Sequence, residues 1–394
     1  MRAVARIFLS VCWCLSAAPL AASEAKLAAA LGMFNEAALW RDNMAHSDNR
    51  PQPIAGIVRF NEPIRIFLGR TPSNSLPADA ERLTREAAGF AGLAVSVVET
   101  VGDANFRFDF FADNATPPGV PPGGCGTATD VRATGLVSVT LHVRASRPDC
   151  LAHEILHGFG LFGHPHEYDT LLSYKRPPGQ RERYTELDRL ALRTLYRSGL
   201  TVGTFHLPAL LVARQFMAEE LGLVAKGGDT GALARPVLDR AVERLRAAAN
   251  PGSRAVQHQL GIAYAFGQYV TRDPVQAVHF WTLAADQRHP EALFQLGLAL
   301  QAGRGVAVDA PASRRRLREA SSLGHGPAAL AVAQAYRDGI GGWPNALEAY
   351  AFFDVAARRN VASAAAARDA LFSGFDEPTR ARAVAHARQF PTSP

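Results

Sequence analysis

Residues 153–164 read HEILHGFGLFGH, and the assignment of everything before residue 204 hangs on this stretch. On a helix, His153 and His157 stand four residues and about one turn apart, so both imidazoles leave the same face and can reach one ion. Glu154 lies beside the first histidine, placed to act as general base on a water at that ion. Zinc suits two imidazoles and tolerates the open position that catalysis requires. Gly160 follows three residues after His157, where a chain turning back towards the ion needs a residue free to adopt positive φ. His164, His166, Glu167 and Asp169 come next, and the third ligand is expected among them, in the order His164, His166, then either carboxylate. The competing reading is an amphipathic helix with its polar side outward.

The flanking sequence predicts strands before this helix. PIRIFLG (63–69) alternates as a half-buried strand does, LPADAERLTREAAGFAGL (76–93) has helical spacing, and AVSVVE (94–99) and FRFDFF (106–111) are strand-like. TPPGVPPGGCG (116–126) reads as loop and TGLVSVTLHV (134–143) as the last strand before the motif. Residues 24–45 and YTELDRLALRTLYRSG (184–199) read as helices, the latter with Thr185 as cap and Asp188 in its first turn. This order predicts an α+β domain. Of four cysteines, Cys12 and Cys14 fall in the N-terminal leader discussed below, leaving Cys125 and Cys150. An even pair in an oxidising compartment predicts one disulfide, worth about 3 kcal/mol for a loop of this length; the alternative is two buried thiols.

These parts, in this order, resemble the metzincin metallopeptidases, whose pattern is HExxHxxGxxH, a Met-turn and a closing helix. His153, Glu154, His157 and Gly160 match position by position. TLLSY (170–174) resembles the Met-turn with Leu172 in the methionine place and Tyr174 following it, and LDRLALRTLYRSG looks like the closing helix. Two departures stand out: the family's third histidine would fall on Gly163, whereas the chain offers His164, and the methionine is absent. The resemblance implies a zincin-like fold and one zinc per chain on His153, His157 and His164. It also implies hydrolysis of a peptide or protein substrate, with Glu154 moving the proton and Tyr174 steadying the oxyanion, and strand GLVSVTLHV bordering a cleft where an extended peptide adds as a further strand. The region is similar, too, to a bacterial family of exported proteins of unknown function in many of which the motif has decayed.

The second half repeats. Leu260-Gly261 recurs as Leu296-Gly297, Gly267 as Gly303 and Gly339, Asp273 as Asp309, and Ala284-Ala285 as Ala320-Ser321 and Ala356-Ala357, always 36 residues on. Such a unit is a helix pair with small residues at its crossing and a glycine turn. One copy cannot bury its apolar face alone, so neighbours stack into an all-α solenoid. The run LGIAYAFGQYVTRDPVQAVHFWTLAADQRHPEAL resembles the Sel-one-like repeat, a relative of the tetratricopeptide repeat, with the third copy degraded at GIGGWPNALEAY. That resemblance implies a scaffold for a protein partner. His258, His279, His289 and His325 lack ligand spacing and read as surface or packing residues; Phe280, Trp281 and Tyr336 read as core.

At the N-terminus, MRAVARIFLSVCWCLSAAPLAASEA carries two arginines, a short apolar run and small residues, the pattern of a secretory signal cleaved between 22 and 25. Its apolar run is much shorter than the roughly 20 residues of a membrane span. The formal charge of +6 is spread along helices without a basic run, which argues against a nucleic-acid partner. The expected layout is a signal (1–23), a metzincin-like domain (24–203), connecting helices with a partial repeat (204–250), three repeats (251–368) and a C-terminal cap (369–394). The expected function is an exported, periplasmic or secreted zinc peptidase with an interaction scaffold. The alternative is a non-catalytic envelope adaptor whose repeats bind a partner and whose zincin domain is a retained scaffold.

Overall fold

The computed structural model describes residues 22–41, 52–53, 56–71, 75–115, 117–118, 120, 124–165, 167–173, 183–249, 253–267 and 269–390. The signal assigned to residues 1–23 therefore lies outside the described residues, apart from its last two positions. The chain divides into two compact units, Met1–Ala241 and Val242–Pro394. Among the described residues no helix is long and apolar enough to cross a membrane.

The first unit opens with helix α1 (22–39), which ends in β1 (Trp40–Arg41), paired antiparallel with β2 (Gln52–Pro53). The helix expected over 24–45 thus stops at 39, because Trp40 and Arg41 enter this ladder. From Ala30 onward α1 is buried on nearly every side, with Leu31, Met33, Phe34, Ala37 and Leu39 inaccessible. A helix apolar all round belongs inside a core.

A five-stranded mixed sheet follows, in the order β4-β3-β5-β7-β6. Strands β3 (Ile64–Leu68), β4 (Val95–Val97), β5 (Phe106–Phe111) and β7 (Gly135–Arg144) run parallel to their neighbours, and β6 (Gly126–Arg132) pairs antiparallel with β7 at one edge. Alternation makes these strands: Ile64 and Ile66, Phe106 and Phe108, and Val139, Leu141 and Val143 all face the core. Helix α2 (Leu76–Ala91) packs beside β3.

Two expectations change. GTATDVR (126–132) lacks an apolar face and had no strand reading, yet it is β6, an edge strand on which side-chain packing makes few demands. Strand β7 is consequently paired on both sides, to β5 and β6, so among the described residues β6 is the edge strand on that side of the sheet and GLVSVTLHV cannot border a cleft as the receiving strand.

The motif helix α3 (Leu151–Gly158) lies on this sheet, where a Cβ at Gly158 would come within 2.7 Å of the Phe106 ring. Helix α4 (Glu186–Leu195) begins with a reciprocal cap between Thr185 and Asp188. Helix α5 (His206–Glu220) completes the unit, tied to α1 by a 2.7 Å hydrogen bond between His206 Nε2 and Asn35 Oδ1; α6 (Arg235–Ala248) follows.

The second unit is helical. Pairs α7/α8 (Arg254–Phe266, Pro274–Asp286), α9/α10 (Pro290–Ala302, Ala310–Ser322) and α11/α12 (Gly326–Asp338, Ala346–Arg358) repeat one design, followed by α13 (Ala364–Ser373) and α14 (Glu377–Ala387). Gly267, Gly303 and Gly339 end the first helix of each pair in left-handed conformation, with φ of 68°, 66° and 72°, which a side chain would strain. Asp273, Asp309 and Asn345 then cap the second helices. Gly261 and Gly297 admit the Trp281 and Leu317 side chains, each too close for a Cβ on the glycine.

Candidate metal centre and the repeat scaffold

Three imidazoles converge in the first unit. His153 and His157 leave α3 one turn apart, and His164 returns from the loop beyond it. Their Nε2 atoms are 3.0 Å (153–157), 3.1 Å (157–164) and 3.2 Å (153–164) apart. The Nδ1 of His153 lies 2.8 Å from the carbonyl oxygen of Leu171, and that of His157 lies 2.6 Å from that of Leu161. A carbonyl can only accept, so both Nδ1 atoms carry the proton and both Nε2 atoms present lone pairs to each other. Bare lone pairs at this distance repel, and a shared cation reverses the sign. The spacing and the all-imidazole set fit one ion at the roughly 2.0–2.1 Å typical of zinc–nitrogen bonds, and the two carbonyls are the outer partners that orient such ligands.

The one-residue shift of the third histidine has a steric cause. A Cβ at Gly163 would stand 2.0 Å from the carbonyl oxygen of Glu36 and 2.9 Å from that of Trp40, while the Gly163 amide donates to Ala37 O at 3.0 Å. The end of α1 fills the place a side chain would need, so position 163 can hold only glycine, and the imidazole comes from the next residue. Gly160 has φ of 102° and sits against Val58 O, as the sharp return of the chain requires.

Glu154 is buried, and Thr127 on β6 donates its hydroxyl to Oε2 at 2.7 Å. Burial raises its carboxyl to about 7, against the Thr127 hydrogen bond, which lowers it. Leu172, in the methionine place, is fully buried. The turn that carries it is held from α4: the Asp188 carboxylate accepts from the Thr170 hydroxyl, from the Leu171 amide at 3.2 Å and from the Thr185 amide at 2.8 Å. One residue, Leu171, therefore joins the Asp188 carboxylate to the His153 ring, its amide on the former and its carbonyl on the latter. Burial pushes the Asp188 carboxyl up, and these hydrogen bonds oppose it.

Cys125 and Cys150 form a disulfide. It fastens the residue before β6 to the residue before α3, on either side of the Thr127–Glu154 contact. Of the other candidates, Glu167 and Asp169 are not among the grouped donors, and His166 and Tyr174 lie outside the described residues. Thr127 and the outer reach of Asp188 had no signal in the sequence beyond the capping position of the latter.

In the second unit the histidines have other uses. His289 and His325, 36 residues apart, cap α9 and α11 by accepting at Nδ1 from Ala292 N (3.2 Å) and Ala328 N (3.0 Å). His258 is buried and stacks on His289 at 4.6 Å, as Phe294 meets His325 one repeat later. The recurrence of a histidine just before Pro290 and Pro327 was the available signal for these caps.

The Sel1 repeat family matches three consecutive segments, 255–289, 290–325 and 326–361, which coincide with the three helix pairs. Residues 255–361 are Sel1 repeats. No curated protein matches the chain. Among solved structures, a protective antigen of uropathogenic Escherichia coli strains displaying an SLR fold is similar at 20% identity and a TM-score of 0.36, covering 52% of this chain and 53% of that one. A Sel1 repeat protein from Oxalobacter formigenes is similar at 24% identity and a TM-score of 0.31, covering 40% of this chain and 68% of that one. The chain thus spans about half the length of the first of these.

Proposed function

We propose that the first unit is a zincin-like, zinc-dependent peptidase domain, exported by its N-terminal signal, and that the Sel1 repeats hold a protein partner or substrate for it. The observation that carries the zinc site is the convergence of three Nε2 atoms, two of them with their protons committed to carbonyls on the far side of the ring. His153, His157 and His164 would hold the ion, one per chain. Zinc there supplies Lewis acidity to a scissile carbonyl and to water. Glu154 takes up the proton of the attacking water and returns it to the leaving amine. Thr127 occupies Oε2 and so aims the carboxylate. The outer edge of β6, unpaired among the described residues, offers backbone N–H and C=O groups to an extended peptide. Tyr174 keeps the oxyanion role implied by the metzincin resemblance.

Purified protein is expected to carry about one zinc per chain, and His157→Ala close to none, as measured by metal analysis at neutral pH. Glu154→Ala should retain zinc and lose cleavage of a denatured protein substrate. Wild type devoid of zinc after exposure to the ion would sink the assignment.

A second reading is favoured by the comparisons, which reach the repeats alone. Sel1 repeats generally mediate protein interactions, so the chain would be a non-catalytic adaptor in the cell envelope and the first unit a retained metal-bound scaffold. Zinc content without any cleavage, together with partner binding unaffected by Glu154→Ala, would select it.

A further inference from the structure

We propose that the edge of the solenoid formed by the turns inside each repeat is the partner-binding surface, and that it takes an extended acidic segment bearing apolar side chains. This rests on the reading of the repeats as an interaction scaffold and is independent of the metal centre.

Among the described residues of the second unit, the exposed large hydrophobic side chains are Phe266 (64% exposed), Val275 (61%), Val308 (67%) and Trp343 (91%). All four lie in or beside the turns that join the two helices of a repeat, 267–273, 303–309 and 339–345. Their recurrence at the same turn in each of the three repeats, with exposures up to 91%, points to a contact surface rather than chance exposure. The turns that carry these residues follow one another along one edge, each touching the last. A Cβ at Gly305 would meet Pro274 O at 2.1 Å, and one at Gly341 would meet Ala310 O at 2.3 Å, so each turn rests on the start of the preceding repeat's second helix.

Between the first two turns a cavity of about 310 Å³ opens, floored by Ala277, Trp281 and Ala299 and rimmed by Phe266, Arg272 and Arg304. Among the described residues no carboxylate lines it. Among the described residues neither Arg272 nor Arg304 has a carboxylate partner; Arg272 donates Nε to Ala265 O at 3.1 Å, and Arg304 is exposed. A third guanidinium, that of Arg314, stacks on Tyr336 beneath Gly342 in the last turn. The acidic groups of the same edge are already engaged: Asp273 and Asp309 accept from the amides that open α8 and α10, and Asp338 is paired with Arg337. The edge therefore presents apolar side chains beside the Arg272 and Arg304 guanidiniums, which no carboxylate pairs among the described residues. Carboxylates meet the guanidiniums, and one apolar side chain fills the cavity over Trp281.

The test uses the full chain and a short fluorescein-labelled peptide of alternating glutamate and leucine, followed by anisotropy. Saturable binding is expected, weakened about tenfold or more by Arg272→Glu with Arg304→Glu, and separately by Phe266→Ala with Trp343→Ala, since hot spots centre on such anchors. Arg240→Glu, an exposed site of the first unit, should leave it unchanged. Thermal denaturation of each variant checks that these surface changes leave the fold intact. Absence of saturable binding, equal binding of the peptide with lysine in place of glutamate, or wild-type affinity in both paired variants overturns the proposal. A partner protein still captured by the combined four-site variant overturns this edge while leaving the scaffold reading standing.

Discussion

At the scale of single residues, Gly163 decides which residue supplies the third imidazole of the cluster. Gly163→Ala forces a methyl group into the carbonyls of Glu36 and Trp40, so the loop or α1 must move. A loss of stability of about 2 kcal/mol or more is expected, with zinc retention falling together with it; unchanged melting and full metal content would refute the steric account. His258 gives a pH prediction. Burial first, and then the neighbouring His289, lower it to about 4, while the Glu291 carboxylate pulls the other way. An unfolded histidine protonates near 6.5, so the unfolded state binds the proton first and stability, full above pH 6.5, drains away as pH falls towards 4. The most this can amount to is about 3 kcal/mol. His258→Phe, the residue present one repeat later as Phe294, should flatten urea midpoints between pH 7 and 4.5. Glu291, lowered to about 2 mainly by its hydrogen bond to His325, adds a smaller loss at lower pH, because it is half exposed.

At the scale of elements, Asp188 binds the start of α4 to the turn behind His153. Asp188→Ala removes a cap and leaves the Leu171 and Thr185 amides without their acceptor, for an expected cost of about 2–4 kcal/mol. Asp188→Asn should recover part of it, and zinc affinity measured against a competing chelator should fall in the same order. Reduction of Cys125–Cys150 should lower stability by about 3 kcal/mol, read as the midpoint shift between oxidised and reduced protein. Much of this layer was legible in advance. Strands built on alternating Ile, Phe and Val appear within a residue or two of their expected bounds, because alternation is what buries them. The 36-residue recurrence of glycine and aspartate located the turns, because left-handed caps and N-caps admit few residue types. Strand β6 was not legible: GTATDVR holds its place through backbone pairing with β7, to which side-chain pattern is blind. Nor was the cause of the His164 shift, since the carbonyls that exclude a side chain at 163 come from the end of α1 and from β1, more than a hundred residues away. That His153 and His157 converge follows from their spacing on α3; which residue supplies the third imidazole needed the position of α1.

At the scale of the molecule, two units built on different principles share one chain. In the second, each helix packs on its sequence neighbours, so damage stays local: Trp281→Ala opens a cavity between α7 and α8 and should destabilise the repeats by about 3–5 kcal/mol, while metal content stays at the wild-type level. Loss of zinc in that variant would mean that the units are not separable. In the first unit, the parallel pairings Ile66↔Phe106 and Phe106↔Val139 and the seat of Gly163 on the end of α1 bring together segments far apart along the chain. Distance along the chain is also distance in time, because long loops must close before such contacts form. Helices of the repeats form from adjacent residues, whereas His164 cannot meet His153 until α1 has docked beneath its loop. On refolding from denaturant, helical signal should therefore return ahead of metal uptake, and the trio of imidazoles should be among the last features of the protein to exist.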